Sequence, residues 1–141
     1  LALRMREHTA NARRVAEFLA AHPCVSWVAY SGLPDSPWYE RARRYLPEGP
    51  GAVFAFGVDG GRAAGSRFID AVRLASHVAN IGDARTLVIH PASTTHRQLS
   101  DSALAAGGIR PDLVRISVGL EDPDDICDDL DRALHAARDA S

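Results

Sequence analysis

The stretch Leu113-Val-Arg-Ile-Ser-Val118, followed by Gly119-Leu-Glu-Asp-Pro123, decides the fold. Successive residues of a strand point to opposite faces of a sheet. One face therefore carries Val114, Ile116 and Val118. The other carries Leu113, Arg115 and Ser117. Asp122-Pro123 is typical of a helix start, with aspartate as N-cap and proline at the first helical position, so a strand leading into a helix is predicted.

Helical and strand patterns alternate along the rest of the chain. Strands are predicted at 25–30, 52–58, 86–90 and 113–118. Helices are predicted at 2–21, 38–46, 100–106 and from 122 onward, with one more after Asp59-Gly60-Gly61. The apolar stripe of this last helix is Phe68, Ile69, Val72 and Ala75 or Ser76. Together these elements predict one α+β domain over residues 1–141, with a small mixed sheet covered by helices.

Composition narrows the class of protein. The hydrophobic fraction of 46% and the charged fraction of 24% are those of a soluble globular domain. The arginines are scattered, so no nucleic acid is expected as partner, and no apolar stretch is long enough to span a membrane. Cys24 and Cys127 are expected to be buried thiols in a reducing compartment, which favours the cytoplasm.

All 16 basic residues are arginine. A chain without lysine has no Schiff-base lysine, no P-loop lysine and no lysine general base. In addition, Leu1-Ala-Leu-Arg-Met5 enters a helical pattern with no capping residue, so we expect the chain to be a fragment.

The residue patterns alone do not identify a functional site. Arg115 is either a bidentate carboxylate clamp held on a rigid strand or an ordinary arginine on a solvated face, and periodicity favours the second. His77, His90 and His96 lack the close spacing of zinc ligands, so hydrogen-bonding roles and no metal site are predicted. Cys24 beside His22 makes a weak nucleophile-base pair, because Pro23 separates them.

Three segments nevertheless resemble one family. His77–His96 (HVANIGDARTLVIHPASTTH) and Gly108–Asp122 (GIRPDLVRISVGLED) closely resemble the C-terminal region of the Cys/Met-metabolism pyridoxal-phosphate (PLP) enzymes. Ala29-Tyr-Ser-Gly-Leu-Pro34 with Tyr45-Leu-Pro47 resembles an upstream stretch of the same family. The resemblance covers nearly the whole chain and corresponds to about the last third of a family member. It is strongest to the O-acetylhomoserine sulfhydrylases, since the synthases and lyases usually carry serine where Asn80 stands.

The resemblance implies a fold-type-I enzyme whose missing N-terminal domain holds PLP on a lysine. This chain then has no catalytic and no cofactor-binding residue, and alone it is inactive. By position, Arg115 would bind the α-carboxylate of an amino-acid substrate, Asn80 would help orient that carboxylate or the nearby backbone, and Thr95 would lie close to it. The implied reaction is γ-replacement, in which O-acetyl-L-homoserine and sulfide give L-homocysteine and acetate, in a homo-oligomer when full length.

Two alternatives stay open. One is a sister enzyme such as cystathionine γ-synthase or methionine γ-lyase. The other is a non-catalytic module that binds an amino acid or a partner. In the fragment hypothesis, helix faces that packed on the lost domain leave an apolar patch, expected along the first helix, which promotes self-association.

Overall fold

A single mixed sheet organises the chain in a computed structural model, which describes residues 1–94 and 98–139. Its spatial order is β1-β2-β5-β4-β3. The strands are β1 (Val25–Ala29), β2 (Val53–Val58), β3 (Ser76–His77), β4 (Leu87–Ile89) and β5 (Leu113–Ser117). The helices are α1 (Ala2–Ala21), α2 (Tyr39–Tyr45), α3 (Gly61–Ala71), α4 (Asp101–Ala106) and α5 (Pro123–Asp139). Neighbouring strands are antiparallel except β3 and β4, which are parallel, so the predicted α+β fold with a small mixed sheet is confirmed.

The two faces of the sheet differ sharply. In β5 the face of Val114 and Ile116 packs into one hydrophobic core with residues of α1, α3 and α5, and both side chains are fully buried. The largest buried side chains of this core are Phe56, Phe68, Leu19, Ile116, Ile126, Leu130 and Leu134. The alternation predicted for β5 is therefore confirmed, and Arg115 lies on the face that these three helices do not cover.

Three helix ends lie where local sequence signals predict them. The Asp122 carboxylate accepts the backbone N–H of Asp124 at 2.9 Å, and Ser100 Oγ accepts that of Ala103 at 3.3 Å. Helix α1 ends at Ala21, two residues before Pro23, whose ring disfavours helical backbone in the residue preceding it. These ends follow from neighbours in sequence, and the prediction is confirmed at each of them.

The C-terminal end of α3 is where the sequence prediction was wrong. The apolar stripe was expected to continue through Val72 to Ala75 or Ser76, yet α3 ends at Ala71 and Val72 is extended, with φ −63° and ψ 147°. The carboxylate of Asp129 in α5 accepts the N–H groups of residues 73, 74 and 75 at 2.9–3.2 Å. These donors are satisfied by a side chain from α5 instead of by helical carbonyls, and Ser76 is thereby free to begin β3.

Both thiols are buried and neither forms a disulfide, as predicted. Burial raises the pKa of Cys127 to about 11, so this thiol stays protonated. Within the described residues, no helix is both long and apolar enough to cross a membrane.

Candidate substrate-carboxylate site

Arg115 lies in the central strand β5, on the sheet face opposite α1, α3 and α5. It is the middle residue of β5, which is hydrogen-bonded on both sides, and its cross-strand neighbours are Ala55 on β2 and Ile89 on β4. Central strands are the most rigid part of a sheet, so the base of the side chain is well fixed. The Arg115 guanidinium donates through Nη2 to the main-chain oxygen of Asn80 at 3.4 Å. Two of the three residues implied by the family resemblance therefore meet in space.

Asn80 is exposed in the segment between β3 and β4, and its own backbone fixes the orientation of its amide. Its Oδ1 accepts the N–H of Ile81 at 2.9 Å. Only the oxygen of a carboxamide can accept, so the two Nδ2 donors point away from this bond. The described contact with Arg115 is made by the main-chain oxygen of Asn80, and the Nδ2 group of Asn80 is the part of its side chain that can donate to an anion.

Thr95, the third residue, lies outside the described residues, and so does His96. The turn that leads to them is well anchored: Pro91–Ser93 form a 3₁₀ turn, and Thr94 Oγ1 donates to the carbonyl oxygen of His90 at 2.8 Å.

His90 is fully buried and serves this turn through hydrogen bonds. One ring nitrogen, Nε2, donates to the carbonyl of Pro111 at 2.8 Å, which leaves Nδ1 to accept from Ser93 Oγ at 2.8 Å. Burial lowers the pKa of His90. Both ring nitrogens are engaged by protein groups, which agrees with the predicted hydrogen-bonding role of this histidine.

A second cluster, not anticipated from sequence, joins His22 to Asp131 and His135 at the end of α1. These residue types are common metal ligands, but the hydrogen bonds argue otherwise. His22 Nδ1 accepts the backbone N–H of Cys24 at 3.1 Å, so Nε2 carries the proton and donates to Asp131 Oδ1 at 3.0 Å. A neutral imidazole arranged this way has no lone pair left for a metal, and His22 is equally unavailable as a base for the Cys24 thiol.

The structure also reveals polar residues behind the site that sequence reasoning missed. Ser117 is 2% exposed and lies two residues from Arg115 on the same face of β5. Its Oγ accepts the N–H of Gly82 at 3.0 Å. The alternation of β5 placed Ser117 on this face, but only the packing of the chain shows what it holds.

These observations define an α+β domain in which Arg115 contacts Asn80 on the sheet face opposite α1, α3 and α5. The family model of the Cys/Met metabolism PLP-dependent enzymes matches residues 1–135. The chain therefore belongs to this family, as the resemblance implied. The match covers Arg115 and Asn80, although it does not itself assign them a role.

Individual relatives agree with this membership. The chain is 49% identical over 134 residues to an O-acetyl-L-homoserine sulfhydrylase of Thermus thermophilus, a match covering 95% of this chain and 32% of the relative. It is 46% identical over 137 residues to a homocysteine synthase of Schizosaccharomyces pombe, covering 97% and 32% respectively. The chain thus spans about a third of the length of these relatives.

A solved structure gives the same fold. It is described as an O-acetylhomoserine (thiol)-lyase from Campylobacter jejuni with N'-pyridoxyl-lysine-5'-monophosphate. The TM-score is 0.86 at 36% identity, and the match covers 95% of this chain and 32% of that one. The pyridoxyl-lysine of that protein has no counterpart in a chain whose 16 basic residues are all arginine.

Proposed function

We propose that residues 1–141 form the C-terminal, substrate-carboxylate-binding part of a PLP-dependent enzyme. The reaction of the full-length enzyme is γ-replacement: sulfide and O-acetyl-L-homoserine give L-homocysteine and acetate. The names of relatives at 46–49% identity support this choice within the family. The observation that carries the role of this chain is the Arg115 guanidinium lying beside Asn80 on the open face.

The guanidinium of Arg115 is chemically well matched to a carboxylate. A guanidinium offers parallel N–H donors that match the two carboxylate oxygens, and charge-assisted bonds of this kind are about twice as strong as neutral ones. Two contacts fix the direction of the substrate's α-carbon as well as its position, and orientation is what an α-carbon reaction demands. In this proposal Asn80, which contacts Arg115 through its main-chain oxygen, helps to orient the carboxylate.

The cofactor itself does not fit this chain. Holding PLP as a Schiff base needs a lysine, and the chain has none. When bound in the rest of the enzyme, PLP supplies the electron sink that such chemistry requires. The contribution of residues 1–141 is therefore to bind and orient the substrate.

The setting of the full-length enzyme follows from the same proposal. We place it in the cytoplasm, because the buried free thiols Cys24 and Cys127 suit a reducing compartment. Its partners are a small amino-acid substrate and its own N-terminal domain, and we expect a homo-oligomer.

The test is substitution of Arg115 in the full-length enzyme. Arg115→Ala removes the two charge-assisted hydrogen bonds proposed with the substrate, so the KM for O-acetylhomoserine should rise about 30- to 100-fold. PLP should remain bound, as measured by its absorbance. Arg115→Lys keeps the charge but loses the planar pair of donors, and its KM should fall between those of the wild type and Arg115→Ala.

The control is Arg43→Ala in α2, an exposed arginine whose only ion pair is with Glu40 at 3.7 Å within the described residues. Its KM should match the wild type. An unchanged KM in Arg115→Ala would show that Arg115 does not bind the substrate. Failure of the wild-type enzyme to form homocysteine from sulfide would reject the sulfhydrylase activity itself.

A further inference from the structure

The segment that carries Asn80 is tied to the end of β5 by a set of hydrogen bonds that we call the brace. It joins residues 82–86 to residues 117–121. Gly82 N donates to Ser117 Oγ and Leu120 N to the carbonyl of Ala84, at 3.0 and 2.7 Å. The Glu121 carboxylate accepts both the N–H and the hydroxyl of Thr86, at 2.6 and 2.8 Å. The brace closes where Gly119 N donates to Thr86 Oγ1 at 2.9 Å.

Ser117 is the member of the brace nearest the candidate site. Its cross-strand neighbours are Val53 on β2 and Leu87 on β4, both aliphatic. An aliphatic side chain would suit such a buried strand position, and a buried hydroxyl there needs a hydrogen-bond partner. The partner it has is the N–H of Gly82, two residues after Asn80.

The geometry connects this bond to the clamp. Arg115 and Ser117 are on the same face of the same strand, and each holds the same segment: Arg115 through the oxygen of Asn80, Ser117 through the N–H of Gly82. Gly82 has φ +74°, a left-handed conformation that only glycine adopts without strain. The backbone from Asn80 to Gly82 is therefore held at both ends by Arg115 and Ser117, which are successive residues on one face of β5.

We propose that Ser117 is a positioning residue for the carboxylate site, holding the turn at Gly82 so that Asn80 stays beside Arg115. This inference rests on the proposed function. Ser117 does not touch the substrate itself; its hydroxyl acts through the loop backbone. Loss of the hydroxyl lets the turn relax, which displaces Asn80 from its contact with Arg115.

The experiment uses Ser117→Ala, Ser117→Thr and Ser117→Cys in the full-length enzyme. Since one hydrogen bond is lost, Ser117→Ala should raise the KM for O-acetylhomoserine about fivefold while kcat changes less than about twofold. Ser117→Thr keeps the hydroxyl and should restore the wild-type KM. Ser117→Cys nearly preserves the volume but offers only a weak acceptor, so it should resemble Ser117→Ala and serves if the alanine variant does not fold.

Hydrogen exchange gives a readout independent of activity. In Ser117→Ala, peptides covering residues 78–86 should take up deuterium faster, whereas peptides from α5 should not change. Ser26→Ala is the matched control, since its hydroxyl donates to Asp112 Oδ2 at 3.1 Å on the opposite edge of the sheet. This variant should alter neither the KM nor the exchange of residues 78–86.

The outcomes separate the two proposals. If Arg115→Ala raises the KM and Ser117→Ala leaves both the KM and loop exchange unchanged, Ser117 is not a positioning residue and the clamp stands. If Ser117→Ala speeds exchange but the KM stays constant, the bond holds the loop without serving the site, and the inference is wrong. If Arg115→Ala has no effect on the KM, the proposed carboxylate site fails first.

Discussion

Asp129 offers the sharpest test of how α5 holds the rest of the domain. This residue is 8% exposed, and its carboxylate ends α3 by accepting the N–H groups of Arg73, Leu74 and Ala75. Its Oδ1 also accepts from the Arg132 guanidinium. Burial by itself raises the pKa of a carboxyl, but these donors outweigh it, and the net pKa of Asp129 is lowered.

The expected cost of Asp129→Asn can be worked from these contacts. An asparagine can keep one oxygen at the position of Oδ2, where Leu74 and Ala75 donate at 2.9 and 3.0 Å. Its amide NH₂ then occupies the position of Oδ1 and faces other donors, the N–H of Arg73 and the Arg132 guanidinium. Two charge-assisted hydrogen bonds are lost, each contributing about 1.5–3 kcal/mol net, so we expect the free energy of unfolding to fall by about 3–6 kcal/mol. That is a large share of the roughly 5–15 kcal/mol that stabilises a typical domain.

The assay is urea unfolding of the variant and of Asp128→Asn, the exposed neighbour on the same helix. Asp128→Asn should stay within about 0.5 kcal/mol of the wild type, because it is a solvated surface position. Acid adds a second readout. Since the folded pKa of Asp129 is lowered, its stabilisation is present above the ordinary carboxyl pKa and is lost as pH falls through the folded value, so Asp129→Asn should flatten that acid limb. Equal unfolding midpoints for the two variants would refute the idea that Asp129 holds residues 73–75.

Three further predictions concern other parts of the chain. Because burial lowers the pKa of His90, the free energy of unfolding of the wild type should decrease as pH falls below about 6.5. His90→Gln should lose less stability over this range, which urea unfolding at several pH values would measure. The same dependence of unfolding free energy on pH in both proteins would contradict this prediction. Gly65→Ala places a Cβ 2.5 Å from His90 Nε2, so thermal unfolding should show a destabilisation of about 1–3 kcal/mol, and a variant as stable as the wild type would show that the packing relaxes freely. Leu3 is 80% exposed on α1, so Leu3→Glu should weaken self-association of this chain in sedimentation, and a strictly monomeric wild type would contradict the expected patch.

Sequence reasoning succeeded where the determinants are local. Proline after α1, the Asp122 cap of α5 and the alternation of β5 act within a few residues of the feature they fix. Such signals can be read in one pass along the chain. The fold class follows from them, because alternating short helices and strands leave few compact arrangements.

The failures share a different cause, since each involves a partner distant in sequence. Asp129 is 54–56 positions from the N–H groups that it accepts, and Ser117 is 35 positions from Gly82. The sequence pattern of residues 72–76 does not indicate that α3 ends where a carboxylate of another helix accepts its backbone N–H groups. For Arg115, alternation predicted an uncovered face, but the contact with Asn80 depends on how residues 78–86 return to β5.

The difference between the two sheet faces is consistent with the proposed role of Arg115. Burying an arginine without a charged partner on the helix-covered face would cost several kcal/mol of folding free energy. That face instead carries the apolar residues Val114 and Ile116. On the other face Arg115 is half-buried. Val53, the cross-strand neighbour of Ser117 on this face, is 41% exposed, and two apolar residues of the segment between β3 and β4 are also exposed, Val78 at 44% and Ile81 at 55%. If Arg115 binds the substrate carboxylate as proposed, its substitution should change ligand binding with little effect on unfolding, whereas substitution of the fully buried Ile116 should do the reverse.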